Sequence, residues 1–350
     1  VLGICGGCGA AVVRTDSVWQ AECEAIYTNY RIYHQSGGVE QVVAQAAAAE
    51  PVGRSRALLQ HAGGVLSLPE RGRVLDVGCG NGGFLRTFCT MHPGWSAVGS
   101  EFDTKHRGQV ESIPGVEKLH AGPLEEIEGT FDLISLIHLL EHIPHPAGLL
   151  QTLRGMLRPG GSLLIQLPYY VLNPVELLIA DHATHFSEPS LRRLLARSGW
   201  KPRAVSSAWI AKELSCVAEV ADVPEDLPGQ ADVADLRLPP GALDWIGNFR
   251  KAAFEAATDA RARGGAFGIF GTAIVGVWLA AELGERVQFF VDEDPARVGK
   301  SLEGVPVLAP SSIPAGATVF MGVSAIIAEG ISRRIGREDI RVVLPPANPC

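Results

Sequence analysis

The strongest constraint on the fold is a short apolar run that ends in glycines. Arg73-Val-Leu-Asp-Val-Gly78-Cys-Gly-Asn-Gly-Gly83 reads as a strand feeding a tight turn, and Phe84-Leu-Arg-Thr-Phe88 continues as a helix. Glycine lacks a Cβ, so such a turn lets a ligand approach the backbone, and the helix start beyond it offers free N–H groups. Glu101 follows roughly 20 residues after the turn, closing the next strand-like run, Ser96-Ala-Val-Gly-Ser-Glu101. A carboxylate there can accept hydrogen bonds from both hydroxyls of a ribose.

Strands and helices then alternate. Phe131-Asp-Leu-Ile-Ser-Leu-Ile137 reads as a buried strand and Ala147 to Leu157 as a helix stopped by Pro159-Gly-Gly161. Ser162-Leu-Leu-Ile-Gln-Leu167 reads as a further strand. This alternation predicts crossover connections and a mainly parallel sheet. Two closely spaced runs, Arg203–Ile210 and Ser215–Val220, are expected to form an antiparallel hairpin at the sheet edge. The chain has 350 residues, enough for two domains. The expected division is an N-terminal segment over 1–45, a core domain over 46–222, a Pro/Gly/acidic linker over 223–240 and a C-terminal domain over 241–350.

Composition narrows the function. Apolar residues make up 47% of the chain, and the formal charge is −8, which argues against a nucleic-acid partner. No apolar run reaches the ~18–20 residues of a membrane span, and no basic n-region opens the chain. With seven cysteines, an odd number, the expectation is a cytoplasmic protein with free or metal-bound thiols.

The run Val-Leu-Asp76-Val-Gly78-Cys-Gly80-Asn-Gly82 resembles the first motif of class I S-adenosylmethionine-dependent methyltransferases. The resemblance continues through Glu101, Phe131-Asp-Leu-Ile134, Leu140-Glu-His-Ile143 and Leu157-Arg-Pro-Gly-Gly161. It implies an α/β fold: a Rossmann-like sheet, mostly parallel with an antiparallel edge hairpin, plus a second, smaller Rossmann-like domain. It also implies that Asp76, Gly78, Gly80 and Gly82 line the methionine side of the cofactor, that Glu101 holds the ribose, and that His138 lies near the methionine moiety. The loop Ala121-Gly-Pro-Leu124 lacks the acidic residue that often meets the adenine amino group. A nicotinamide-binding turn is the competing reading; Asp76 and the Pro-Gly-Gly before strand five do not suit it.

Two stretches carry the chemistry candidates. His142 and His145 flank Pro144, and the Glu-His pair before them is common to this methyltransferase family. The stretch Ala180-Asp181-His182-Ala-Thr-His185-Phe-Ser187 places several titratable groups together beyond strand five. It is similar to a segment of the sugar C-methyltransferases, which act on nucleotide-activated keto-deoxysugars. By that resemblance His182 is the base that takes a proton next to a ketone and Asp181 its orienting neighbour. The tyrosine often found before the acidic residue is absent here, and Tyr169, Tyr170 or His185 are candidates to replace it. The structural alternative is that Asp181-His182 only caps a helix over Glu188–Arg197.

Cys5 and Cys8 have the spacing of a zinc knuckle, and the same sugar C-methyltransferases carry an N-terminal zinc module of two such pairs. The chain opens on Val1, and the expectation is that the ligands missing from the set precede it; Cys23 and His34 are the nearby alternatives. In the C-terminal domain, Gly268-Ile-Phe-Gly271-Thr-Ala273-Ile-Val-Gly276 with Asp292 approaches a dinucleotide fingerprint, but Ala273 stands where a glycine would admit the pyrophosphate. By resemblance this domain helps to frame a nucleotide-sugar; a vestigial structural domain or a true NAD site are the alternatives. The expected function is C-methylation of a nucleotide-linked keto-sugar with S-adenosylmethionine, and with zinc as a second cofactor. O- or N-methylation of another small molecule, a non-catalytic binding protein and an NAD-dependent oxidoreductase are the other readings.

Overall fold

The computed structural model describes residues 2–29, 42–43, 52–221 and 241–347. Tyr30, Tyr33, His34, Gln45–Glu50, the proposed linker and Cys350 lie outside the described residues. The chain forms two compact units, one of Val1–Tyr170 and Glu176–Leu238, the other of Val171–Val175 and Pro239–Cys350.

The first unit is built on seven strands: β1 (Arg73–Val77), β2 (Ser96–Glu101), β3 (Val116–Ala121), β4 (Phe131–Ile137), β5 (Leu157–Pro168), β6 (Trp200–Ser206) and β7 (Glu213–Val220). Their order across the sheet is β6-β7-β5-β4-β1-β2-β3. The β1–β2, β1–β4, β2–β3 and β4–β5 pairs are parallel, while β7 runs antiparallel to both β5 and β6. This is the expected parallel sheet with an antiparallel edge hairpin. The hairpin strands start earlier than their apolar runs suggested, at Trp200 and Glu213. Strand β5 also begins early, at Leu157, which pairs with Phe131. The polypeptide is therefore already extended where the sequence suggested the last turn of a helix.

Helices α1 (Arg54–Ala62), α2 (Gly83–Met91), α3 (Arg107–Glu111), α4 (Pro146–Met156) and α5 (Glu188–Arg197) complete this sheet. Side-chain alternation along β1 explains how both faces are covered. Leu75 and Val77 join Phe131, Leu150, Leu153, Leu191 and Trp200 on one face. Val74 joins Leu58, Leu59, Leu85, Phe88 and Trp95 on the other. Each fully buried leucine or phenylalanine contributes roughly 1.5–3 kcal/mol, so the two faces hold the strand ends in fixed register.

The N-terminal segment belongs to this unit. Leu2–Ile4 and Ala11–Val13 form a hairpin around Cys5 and Cys8, and Thr184–His185 pairs with Ala11–Val13 as a third strand. Cys8 and Ala10 are part of the main core. Trp19, on the helix Ser17–Asn29, donates from Nε1 to the carbonyl of Ala180 at 2.8 Å. The segment around Asp181–His185 is thus held from the N-terminal side as well as by the sheet.

The second unit contains α6 (Ala242–Ala262), β8 (Phe267–Phe270), α7 (Ile274–Leu283), β9 (Phe289–Val291), β10 (Ser301–Leu302), β11 (Val305–Leu308), β12 (Thr318–Met321), α8 (Ala325–Ile335) and β13 (Arg341–Val343). Its sheet order is β10-β11-β9-β8-β12-β13, parallel except for β10–β11. This is a second Rossmann-like α/β unit, with Phe270, Phe289, Val319 and Met321 in its core. Among the described residues, no helix is long and apolar enough to cross a membrane.

Candidate active site

The turn after β1 is left-handed at three positions: Gly78, Gly80 and Gly82 have φ of 70°, 55° and 80°. An L side chain is strained there. A Cβ on Gly78 would stand 2.8 Å from Leu139 Cδ1, and one on Gly82 2.5 Å from Ile113 Cδ1. The glycines are therefore required by the turn itself. They leave the Gly80 N–H directed at Glu101, whose Oε1 accepts from it at 2.7 Å, while Oε2 accepts from the Phe102 N–H at 3.2 Å. Burial raises the Glu101 carboxyl above its usual range, with those two N–H groups pulling the other way. Phe102 follows immediately; it is 75% exposed, with its ring centroid 6.0 Å from that of Tyr27.

Asp76 lies beneath the turn, 1% exposed, and accepts from Ser135 Oγ at 2.7 Å. Burial pushes its carboxyl up to about 7, with the Ser135 hydrogen bond opposing and Glu101 adding repulsion. Ser135 escaped the sequence reading; its sign was a hydroxyl inside the apolar run of β4.

His138 closes β4 with φ 53°, a strained conformation for histidine. Its Nε2 lies 2.9 Å from Arg54 Nη1 and 3.2 Å from a Glu213 carboxylate oxygen, and its Nδ1 3.5 Å from Glu141 Oε1. Burial pulls the imidazolium down, but the Glu213 and Glu141 carboxylates outweigh it and Arg54 together, raising its pKa to about 9. The ring is thus committed to an ionic network. Arg54, Glu141 and Glu213 were not singled out in the sequence, because only the fold brings them together.

The second group of residues meets beyond β4 and β5. Leu140–His142 is a single 3-10 turn that follows β4. His142 Nδ1 lies 3.2 Å from Asp181 Oδ2 and 3.2 Å from the Asp181 carbonyl. Asp181 therefore orients His142, a correction to its expected pairing with His182. Burial disfavours the His142 imidazolium, yet the Asp181 contact and the Glu141 charge raise its pKa above the usual value. The Asp181 carboxyl is correspondingly held down, against the effect of its own burial, by His142.

The His182 ring packs edge-on against His142 with centroids 4.8 Å apart. Burial lowers the His182 pKa to about 4, with Glu141 opposing and His142 reinforcing. His185 lies next to His182, ring centroids 5.7 Å apart, and burial with His182 lowers it to about 4 as well. Tyr170 stands 6.3 Å from His185 by ring centroid. The helix-cap alternative for Asp181-His182 does not hold. Ser187 caps α5, its Oγ accepting from the Ser190 N–H at 3.3 Å while Ser190 Oγ accepts from the Ser187 N–H at 2.8 Å. Asp181 and His182 are left for other contacts.

Cys5 and Cys8 sit in a tight knuckle, with the Gly9 N–H donating to the Cys5 carbonyl at 2.8 Å and Gly9 at φ 81°. This suits two of the four donors of a structural zinc site. Among the described residues, however, no third histidine, cysteine or carboxylate groups with them. Cys23 is buried elsewhere, with Trp19 and Ala183. The described donors alone do not make a zinc site. In the second unit, Asp292 accepts from Thr272 Oγ1 at 2.6 Å and from Arg297 Nη1 at 3.0 Å. The carboxylate expected to meet a ribose is thus occupied from within.

A methyltransferase domain family matches residues 52–205. The chain is 32% identical over 107 residues to a ubiquinone biosynthesis O-methyltransferase of Xanthomonas axonopodis pv. citri (strain 306), covering 28% of this chain and 43% of that protein. It is 30% identical over 97 residues to the protein of the same name from Paraburkholderia xenovorans (strain LB400), covering 25% and 40%. The chain thus spans less than half the length of these curated relatives. A solved structure, CalO1, a methyltransferase in calicheamicin biosynthesis, superposes with a TM-score of 0.39 at 21% identity, covering 48% of this chain and 53% of that one. Residues 52–205, which carry most of the Rossmann-like sheet, are thus similar to a methyltransferase domain.

Proposed function

We propose that this domain binds S-adenosylmethionine at the carboxyl ends of β1 and β2 and methylates a small-molecule acceptor. The observation that carries the reading is the Glu101 carboxylate held 2.7 Å from the Gly80 N–H at the edge of a three-glycine left-handed turn. When bound, S-adenosylmethionine supplies an electrophilic methyl group on a sulfonium. Gly78, Gly80 and Gly82 would admit its methionine side to the backbone, Glu101 would accept from the ribose hydroxyls, and the exposed Phe102 ring offers a face for the adenine. Asp76 ties β1 to β4 through Ser135 just before the turn.

The histidine cluster supplies the proton chemistry. Two neighbouring titratable groups whose environments push their pKa values apart divide into acid and base. His182, with its pKa near 4, is uncharged at neutral pH, its Nδ1 3.9 Å from a Glu176 carboxylate oxygen. His142 is raised above its usual value by Asp181 and the Glu141 charge, so of the two rings it is the one that favours the proton. In the reading favoured here, His182 takes the proton from the carbon next to a ketone of a nucleotide-activated sugar. The electrons move into the carbonyl as an enolate, and the His142 imidazolium donates to the enolate oxygen. The enolate carbon then displaces the methyl group from sulfur, leaving a thioether. His142 thus fills the anion-stabilising role for which the expected tyrosine is missing.

O-methylation is the second reading, favoured by the relatives named as ubiquinone biosynthesis O-methyltransferases. There His182 would take a hydroxyl proton. Incubation with nucleotide-linked keto-sugars in deuterated solvent, without cofactor, separates the two. C-methylation requires deuterium uptake next to the ketone, abolished in His182→Ala. Absence of uptake together with methylation of a hydroxyl overturns the C-methylation reading.

A further inference from the structure

Glu141 and His142 come from the short turn after β4, and His182 comes from the segment beyond β5. Each offers one ligand atom, and these atoms all lie within 4.8 Å of one another. Two groups at this point accept no hydrogen bond, although the His138 ring stands 3.5 Å from Glu141 Oε1. Glu141 is 2% exposed, yet neither of its carboxylate oxygens accepts a hydrogen bond. The Nε2 of His185, a residue 3% exposed, also has no partner. The His138 imidazolium offsets the Glu141 charge from one side, and a cation between Glu141 and the His142 and His182 rings would offset it from the other. Asp181 adds the outer half of the arrangement. It holds His142 at Nδ1, 3.2 Å away, which leaves Nε2 facing Glu141 Oε1 at 4.0 Å. Metal-binding histidines are oriented by such a carboxylate on the far ring nitrogen.

We infer that Glu141, His142 and His182 bind a divalent cation of the zinc type, with His185 beside them as a further nitrogen donor. Two imidazoles and a carboxylate match the donor preference of Zn²⁺ or Co²⁺. Closing the ligand atoms onto bond lengths of about 2.1 Å requires side-chain shifts of roughly an ångström. Three protein ligands leave a coordination position for an oxygen of water or substrate, which the cation would polarise. The inference stands on the cluster's geometry and does not depend on methyl transfer. In the metal-bound form the cation takes the place of the His142 proton and occupies the His182 lone pair, so activation of a substrate oxygen passes from the imidazoles to the ion.

The test uses the full chain carrying Cys5→Ser and Cys8→Ser, which removes the N-terminal thiols, stripped of metal and titrated with Co²⁺. Bound metal is counted by elemental analysis and its ligand field read from the visible d–d bands. The inference expects one Co²⁺ per chain in a nitrogen/oxygen field. It expects loss of that ion in both Glu141→Gln and His182→Gln, and affinity about 10- to 100-fold weaker in Asp181→Asn. Binding of S-adenosylhomocysteine, measured in parallel, verifies that each variant is folded. Failure of the thiol-free chain to bind Co²⁺, or unchanged binding in the folded variants, overturns the inference. Deuterium uptake that persists without metal leaves the proton chemistry of His182 standing on its own, whereas Co²⁺ binding without any methyl transfer leaves the metal site standing and removes the methyltransferase reading.

Discussion

Asp181 presents Oδ2 to Nδ1 of His142 at 3.2 Å, so the acidic residue next to His182 in the chain serves a different histidine in the fold. Replacing Asp181 with asparagine keeps the shape and removes the charge. His142 should then titrate at lower pH, because the contact that favours its imidazolium is gone. Methyl transfer should fall by about 10²- to 10⁴-fold, the range for a positioned acid or base, with little change in cofactor affinity. NMR titration of the His142 ring and steady-state kinetics read the two effects; an unchanged titration would separate Asp181 from His142.

His182→Ala should abolish turnover while S-adenosylmethionine still binds. The side chain lies in the histidine cluster rather than at the glycine turn, so its loss leaves the cofactor contacts intact. Turnover at the wild-type rate would remove the base role.

His185 gives a prediction about pH. Its folded pKa, near 4, lies below the ordinary value of 6.5. Between those values the unfolded chain binds a proton that the folded chain does not, so this residue lowers stability as pH falls from 6.5 to 4 and adds no further slope below that. The raised carboxyl of Asp76 acts in the opposite sense across the whole of this window, so the effect must be read as a difference. The stability of wild type relative to His185→Phe should decline by a few kcal/mol at most across that window. Urea unfolding of both proteins at several pH values checks it, and parallel curves would contradict it.

Gly82→Ala should destabilise the first unit by about 1–3 kcal/mol. The left-handed φ of 80° and the 2.5 Å approach to Ile113 Cδ1 both oppose a Cβ. Shortening Ile113 to alanine as well should relieve the steric part and leave the backbone part. Denaturant unfolding of the single and double variants separates the two contributions.

How much of this was legible in the sequence depends on the range of the interaction. The glycine turn, Glu101 and the strand–helix alternation are local patterns, and β4 and α5 appear at the residues their apolar spacing marked. The helix over Glu188–Arg197 is legible too, although its cap is Ser187 and not Asp181-His182. The His142–Asp181 contact joins residues 39 apart, and the Arg54–His138 contact joins residues 84 apart. No spacing rule reaches across those intervals, so Asp181 was paired with its neighbour His182. Glu141 reads as part of a common Glu-His pair, and only its burial between the His138 and His142 rings sets it apart. Strand β5 was read short because Pro159-Gly-Gly161 looks like a break, whereas the neighbouring β4 holds Leu157 in the ladder.

Calorimetric titration of S-adenosylmethionine into wild type and Glu101→Ala tests whether the glycine turn and Glu101 hold that ligand. The account predicts one binding site per chain in wild type and a loss of roughly 1.5–3 kcal/mol in the variant, the worth of hydrogen bonds to a charged group. Equal affinity in the two proteins, or no binding to wild type, would contradict it.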